Sequence, residues 1–353
     1  MRWRQLSWFL LGLIAPLVLA ELVFRLLPVA TATMRGYYLD PDVLSYPPHH
    51  RWQVATGWDL RNAQTLRGNN WGFAAAHDFV PDPRAVALIG DSYVEASMLA
   101  PADRPAAQLE RLLPVGRPVY VLGSPGSSLL DYAQRLRLVS QRLDVRDVVL
   151  LLERFDARQS LCGSGNVQAL CLDRQSLQVR SEHEPAPGAL KAMLRHSALA
   201  QYLVGQIRFS LPALVQATFS RTTPGDAAAA STPRPAPQAQ ELAAMRRMVD
   251  AVTATFFEQV RPYRRGRLIV AVDGRRADFA RAPDLVDAER SHLMQRLREG
   301  GAEVIDLEGA YAAHAQRSTR SLDVGPYDGH LNPLGVGIAM REVAAVLAGP
   351  VRR

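Results

Sequence analysis

The stretch AVALIGDSYVEA, residues 85–96, decides the fold. Its five apolar residues at 85–89 form a run too short for a helix and apolar at every position. That pattern predicts a strand buried on both faces, ended by Gly90. Asp91 and Ser92 then stand on the turn into the next element, where both residue types serve as helix caps. Working outward, the same punctuation recurs in PVYVLG (118–123), DVVLLLE (147–153), RLIVAVDG (267–274) and AEVIDLEG (302–309). Amphipathic stretches separate these runs at about 103–113, 127–143, 240–262, 284–300 and 334–348. Apolar strands alternating with helices predict a three-layer α/β/α sandwich around a central parallel sheet of five strands. Such a sheet gathers its ligand site at the carboxyl ends of its strands.

Three candidate groups for chemistry fall at that edge. Ser92 follows the first strand, where a serine hydroxyl is exposed and the amides of the next helix start face a developing oxyanion; the plainer reading is an N-cap. VLGSPGSS (121–128) follows the second strand, and Gly123 allows close backbone approach and offers a second amide; the plainer reading is a turn capped by Ser127 or Ser128. PYDGHLNPLG (326–335) precedes the last helix. There Asp328 and His330 are spaced so that the carboxylate can hold one ring nitrogen while the other faces outward. An Asp-Gly turn carrying a surface histidine is the alternative.

Taken together, GDSYVEA, VLGSPGSS and DGHLNPLG resemble, in order and strand context, the blocks of the SGNH/GDSL hydrolase superfamily. The likeness is to its membrane-anchored bacterial branch, which is related to polysaccharide O-acetyltransferase domains. NNWGF (69–73) resembles the segment preceding the nucleophile block in that branch. The resemblance spans about 68–350 and implies a flavodoxin-like sheet. It also implies Ser92 as nucleophile, His330 as base, Asp328 as its orienting acid, and the Ser92 and Gly123 amides as oxyanion donors. Ester hydrolysis through a Ser92 acyl-enzyme is the implied activity. Transfer of the acyl group to an envelope or exported polysaccharide is the first alternative, and an inactive binding protein the second. One departure concerns the third block, where LLLERFDARQ places Phe155 before Asp156 in the position of an expected asparagine. A lost oxyanion donor costs about 10² to 10³ in turnover. Arg154 and Arg158 are candidates to fill that role, and Asp273, Arg275 and Arg276 are further candidates for substrate contact.

The rest of the chain bounds where this chemistry takes place. The 353 residues carry 41 basic and 34 acidic side chains, for a net charge of +7. Lys191 is the only lysine, and arginines such as Arg104, Arg111, Arg135, Arg137 and Arg142 are scattered at positions suited to solvated helix faces. No basic run of nucleic-acid-binding length occurs, so a nucleic-acid partner is not expected. Residues 5–20 (QLSWFLLGLIAPLVLA) are apolar, follow Arg2 and Arg4, and are succeeded by more apolar residues after Glu21. The segment is read as an anchor crossing the bacterial inner membrane to about Leu27, with the remainder in the periplasm; a cleaved signal peptide is the alternative. Glu21 and Arg25 are placed to pair on a helix. Cys162 and Cys171 either form a disulfide or remain as two buried thiols, and no metal ligand set is evident. No cofactor is expected. The expected partners are an acyl ester or acylated carbohydrate, the membrane, and a multi-pass acyltransferase.

The expected domains are a membrane segment at 1–33, an irregular lead-in at 34–83 packed on the domain, and the hydrolase-like domain at 84–350. An insertion at about 154–240 interrupts that domain, and its end, 222–240, is low in complexity.

Overall fold

The computed structural model describes residues 3–207, 238–325 and 328–350. The chain divides into two compact units. The larger takes in residues 34–50, 67–185 and the described residues from 238 onward, and the smaller residues 3–33, 51–66 and 186–207.

The larger unit is built on a five-stranded sheet of β1 (Val86–Gly90), β2 (Val119–Gly123), β3 (Asp147–Leu152), β4 (Leu268–Val272) and β5 (Glu303–Asp306). All neighbours are parallel, in the order β5-β4-β3-β1-β2. The sheet is the one expected, with chain order reversing beside β1. Every residue of β1, β2 and β4 is buried, because helices cover both faces. Alternate side chains serve opposite layers. Ala87 and Ile89 pack with α4 (Leu129–Arg142), α6 (Ala239–Val260) and α7 (Leu285–Glu299). Val86 and Leu88 pack with α3 (Pro105–Leu112), α8 (Leu307–Ala315) and α9 (Pro333–Ala348). Trimming a fully buried leucine such as Leu88 to alanine costs about 2–5 kcal/mol at a site packed this way.

Two sequence expectations are corrected. Residues 307–309 do not extend the last strand: the Asp306 carboxylate accepts the Glu308 amide at 3.0 Å and starts α8, so a capping signal ends the strand early. The lead-in is not irregular, since it contains a hairpin of Gly36–Asp40 with Val43–Ser45 and another of Arg51–Thr56 with Arg61–Arg67. The insertion expected at about 154–240 divides between the two units. Its stretch from 154 to 185 belongs to the larger unit and carries a hairpin of Leu170–Leu172 with Val179–Ser181. Cys162 and Cys171 are joined in a disulfide beside that hairpin, with a Cα–Cα distance of 5.0 Å. Of the low-complexity stretch 222–240, residues to 237 lie outside the described residues. Ala239 and Gln240 open α6, where the Gln238 amide donates to Glu241 at 2.9 Å.

In the smaller unit, α1 (Trp3–Leu26) is a continuous helix, and Ser7–Leu26 is long and apolar enough to cross a membrane, with a mean hydropathy of 2.1. The expected pair forms at its end, Arg25 Nε donating to Glu21 at 2.8 Å.

Candidate active site

Strand register sets the site. Gly90 is level with Gly123 of β2 and Leu151 of β3, and Val272 is level with Leu152. The turns after β1, β3 and β4 therefore open along one edge. Ser92 begins α2 (Ser92–Glu95), whose cap is Asp91, accepting the Tyr93 amide at 2.8 Å. The plainer reading thus holds for Asp91, which leaves the Ser92 hydroxyl free for another partner.

That partner is His330, whose Nε2 lies 2.8 Å from Ser92 Oγ. Its Nδ1 lies 2.5 Å from Asp328 Oδ1, and the same oxygen accepts the His330 backbone amide at 2.9 Å. The carboxylate thereby fixes both the ring and the loop that carries it. Burial lowers the affinity of His330 for a proton, but the Asp328 hydrogen bond and charge, aided by Asp91, outweigh it and raise its pKa above the usual 6.5. Burial pushes Asp328 the other way, and the His330 hydrogen bonds still hold it below the usual carboxylate value.

Below this series the structure is dense. Arg135, expected on a solvated face, is buried and donates to Gly90 O at 2.7 Å and Gln168 Oε1 at 2.8 Å. It shares the carbonyl at the tip of β1 with the Ser124 amide, which donates to the same oxygen at 3.2 Å. A Cβ on Gly123 would stand 2.4 Å from Glu95 N, so the missing side chain lets α2 lie directly on β2. That contact accounts for the glycine by packing alone. Gly126, three residues on, takes a left-handed backbone (φ 69°) at the bend. Tyr46 donates to the Glu95 carboxylate at 2.6 Å, and its amide donates to Gly72 O at 2.8 Å. The NNWGF segment supports this chain of contacts, because Asn69 Oδ1 accepts the Trp71 and Phe73 amides at 2.9 and 3.0 Å.

A cleft of about 570 Å³ opens beside His330, lined among others by Tyr93, Glu153, Arg154, Phe155, Asp273 and Arg276. Phe155 forms part of its wall and leaves it open. Asp156 is buried under that wall, accepting from the Tyr132 hydroxyl at 3.1 Å and from the Glu153 amide at 3.0 Å. Arg154 borders the cleft with its guanidinium 5.3 Å from the Phe155 ring centre. The other candidates for contact are engaged elsewhere. Arg158 is corrected: it does not line the cleft, because buried Glu289 holds its guanidinium, with Nε at 2.8 Å. Arg275 lines the cleft but donates from Nε and Nη2 to Glu308 Oε1 at 3.0 and 2.8 Å. Asp273 lines it too and is paired with Arg276 at 2.6 Å.

Arg276 is the residue whose importance spacing understated. Its guanidinium reaches Asp273, Asp323, the Tyr93 hydroxyl at 2.8 Å and the Gly329 carbonyl at 2.5 Å. It therefore joins the residue after the serine to the residue between aspartate and histidine. The Arg-Arg pair after β4 was the only signal in the sequence.

The Ser-His-Asp series at the carboxyl edge of the parallel sheet has the geometry by which a neutral imidazole can activate a hydroxyl. The chain order of its blocks resembles the SGNH/GDSL superfamily. No model of a known protein family matches the chain, and no curated protein does. Among solved structures, the chain is similar to a member of the lipolytic G-D-S-L family from Veillonella parvula, at 10% identity and a TM-score of 0.40, covering 75% of this chain and 99% of that one. It is also similar to a variant of an acetyl xylan esterase from Geobacillus stearothermophilus, at 13% identity and a TM-score of 0.39, covering 78% and 99%. A carbohydrate acetylesterase from Sinorhizobium meliloti gives 12% identity and a TM-score of 0.36, covering 75% and 98%.

Proposed function

We propose that the chain is a serine ester hydrolase of the SGNH type, held at the bacterial inner membrane by α1 with its larger unit in the periplasm. The observation that carries this reading is the 2.8 Å contact between Ser92 Oγ and His330 Nε2, backed by Asp328 on the other ring nitrogen. His330 takes the Ser92 proton as the hydroxyl attacks the acyl carbonyl, then gives it to the departing alcohol. Water, activated by the same imidazole, releases the acid. The Ser92 and Gly123 amides are assigned to the oxyanion, with Arg154 placed on the wall where an asparagine is replaced by Phe155. The membrane assignment draws support from the apolar helix, the flanking Arg2 and Arg4, and the disulfide, which suits an oxidising compartment.

A charged lining with Arg154 at its rim suits a polar substrate such as an acylated carbohydrate. A sugar hydroxyl taking the place of water would make the same acyl-enzyme a transferase, working beside a multi-pass acyl-supplying partner. A purely binding role predicts His330 out of reach of Ser92 or Phe155 closing the cleft, and neither is found.

The test uses the full chain in detergent, with p-nitrophenyl acetate hydrolysis and fluorophosphonate labelling of wild type and Ser92→Ala. Activity and labelling present in wild type and lost together in the variant are expected. A folded wild type that is neither labelled nor active overturns the hydrolase.

A further inference from the structure

The segment after the hairpin of the larger unit folds against the end of α1, and its exposed side is apolar. Residues Ala189–Leu194 form a short helix, and a second helical segment runs from Ala198 through Gln206. The second is fastened to α1 at one carboxylate: Glu21 accepts from Ser197 Oγ at 2.8 Å and from the Ala198 and Leu199 amides at 3.0 Å each. The Phe24 and Tyr202 rings stack beside it with centres 4.5 Å apart. The hairpin tip is tied to the same segment, since Tyr202 donates to Trp58 O and Gln206 to Gly57 O, both at 2.8 Å, while Gln206 accepts the Ala30 amide at 3.1 Å. These contacts hold 198–206 at the level of the last turns of the apolar helix.

Along this segment and at the hairpin tip, large apolar side chains are exposed. Leu190 and Met193 are 66% and 65% exposed, Val204 is 62% exposed, and Trp58 at the hairpin tip is 68% exposed. Leu190, Met193 and Leu194 lie three and four residues apart, on one helix face. Lys191 and Arg195 flank that face, and their long stems can carry the charge to a phosphate layer while the stem stays in apolar surroundings. A helix pair with an apolar face, flanking cations and an adjacent tryptophan has the composition of an element lying in a membrane interface.

We infer that residues 189–207 and Trp58 lie in the interfacial layer of the bilayer that α1 crosses, forming a second, in-plane membrane contact. The occupant of the apolar face is lipid, because the segment that carries it is fastened at Glu21 and Phe24 to turns of the spanning helix whose own Leu22, Val23 and Leu26 are exposed and apolar. This inference rests on the anchor reading for α1. Interfacial helices of this kind sink about 5–10 Å into the headgroup and acyl boundary.

The test uses the full chain reconstituted in phosphatidylglycerol/phosphatidylethanolamine vesicles, with a nitroxide on single cysteines introduced as Met193→Cys, Val204→Cys and, as a reporter of the anchor, Leu13→Cys. Both native cysteines are in the disulfide, so only the introduced thiol is labelled. Expected is relaxation by oxygen stronger than by a water-soluble nickel chelate at all three sites, with 193 and 204 shallower than 13. If Leu13 reports lipid while 193 and 204 report water, the inference falls and the anchor stands. If Leu13 itself reports water, the anchor reading fails and this one with it. Labels at 193 and 204 shielded from both relaxants place a protein on the face and also overturn the inference.

Discussion

At the scale of single residues, the proposed hydrolase divides labour between the two nitrogens of His330. Only its neutral form accepts the Ser92 proton, and its pKa is raised, so kcat/KM is expected to climb with pH along a limb lying above the usual histidine value. Asp328→Asn removes the hydrogen bond and charge that raise it. The limb then moves to lower pH and the plateau drops by about 10²- to 10⁴-fold, as a pH profile of acetyl ester hydrolysis would read. Arg276 is a positioning residue with its own signature. Its charge lowers the pKa of His330 while its hydrogen bonds hold Tyr93 and Gly329. Arg276→Gln is expected to cost about 10- to 100-fold in kcat through misplacement and to shift the limb upward in pH. Arg276→Lys keeps the charge and leaves the limb in place; a limb unmoved in both variants would make the residue merely structural. The serine, the aspartate and the histidine were legible because each sits at a strand end or before a helix, where the chain announces itself with Gly, Asp and Pro. Arg276 was legible only as a candidate for substrate contact and Arg135 only as a solvated arginine, because an arginine in an arginine-rich chain carries little mark of what it will touch.

Elements were legible in proportion to how far packing on both faces wrote itself into composition. The five strands and the five long helices expected around them stand within a few residues of where apolar runs and amphipathic periods put them. α8 escaped because LEG continues the apolar run of β5, and only the Asp306 cap separates them. The lead-in hairpins escaped because GYYLD, VLS, RWQVAT and RNAQTLR carry neither a long apolar run nor a sustained apolar alternation. The contact of α2 on β2 is an element-scale constraint with a sharp test. Gly123→Ala places a methyl 2.4 Å from Glu95 N, and since backbone cannot swing away as a side chain does, α2 must shift. A loss of about 1–3 kcal/mol in denaturant unfolding is expected, together with reduced turnover because Ser92 rides on the same turn. Unchanged stability would mean the two elements are not in contact.

For the whole molecule, buried carboxyls set the dependence of stability on pH. Burial raises Glu95 and Glu153 to about 7 and Asp131 to about 6, from ordinary values of 4.5 and 3.8. A group that holds its proton more tightly when folded stabilises the fold below its unfolded value, and that contribution is lost as pH rises through its folded value. His330 acts in the same sense. Asp284, held at about 2 by Arg281 and cap amides against the effect of burial, acts oppositely and fails only in strong acid. Melting temperature is therefore expected to fall as pH is raised from about 5 to about 8, and Glu95→Gln to flatten the decline; a rise over that range would contradict the burial of these groups. The disulfide adds a condition on biogenesis. Its cross-link joins Cys162 to Cys171 on the first strand of the hairpin Leu170–Leu172 with Val179–Ser181, and a bond of this kind persists in an oxidising compartment. In the periplasmic setting proposed above, that bond closes only after the chain has left the cytosol.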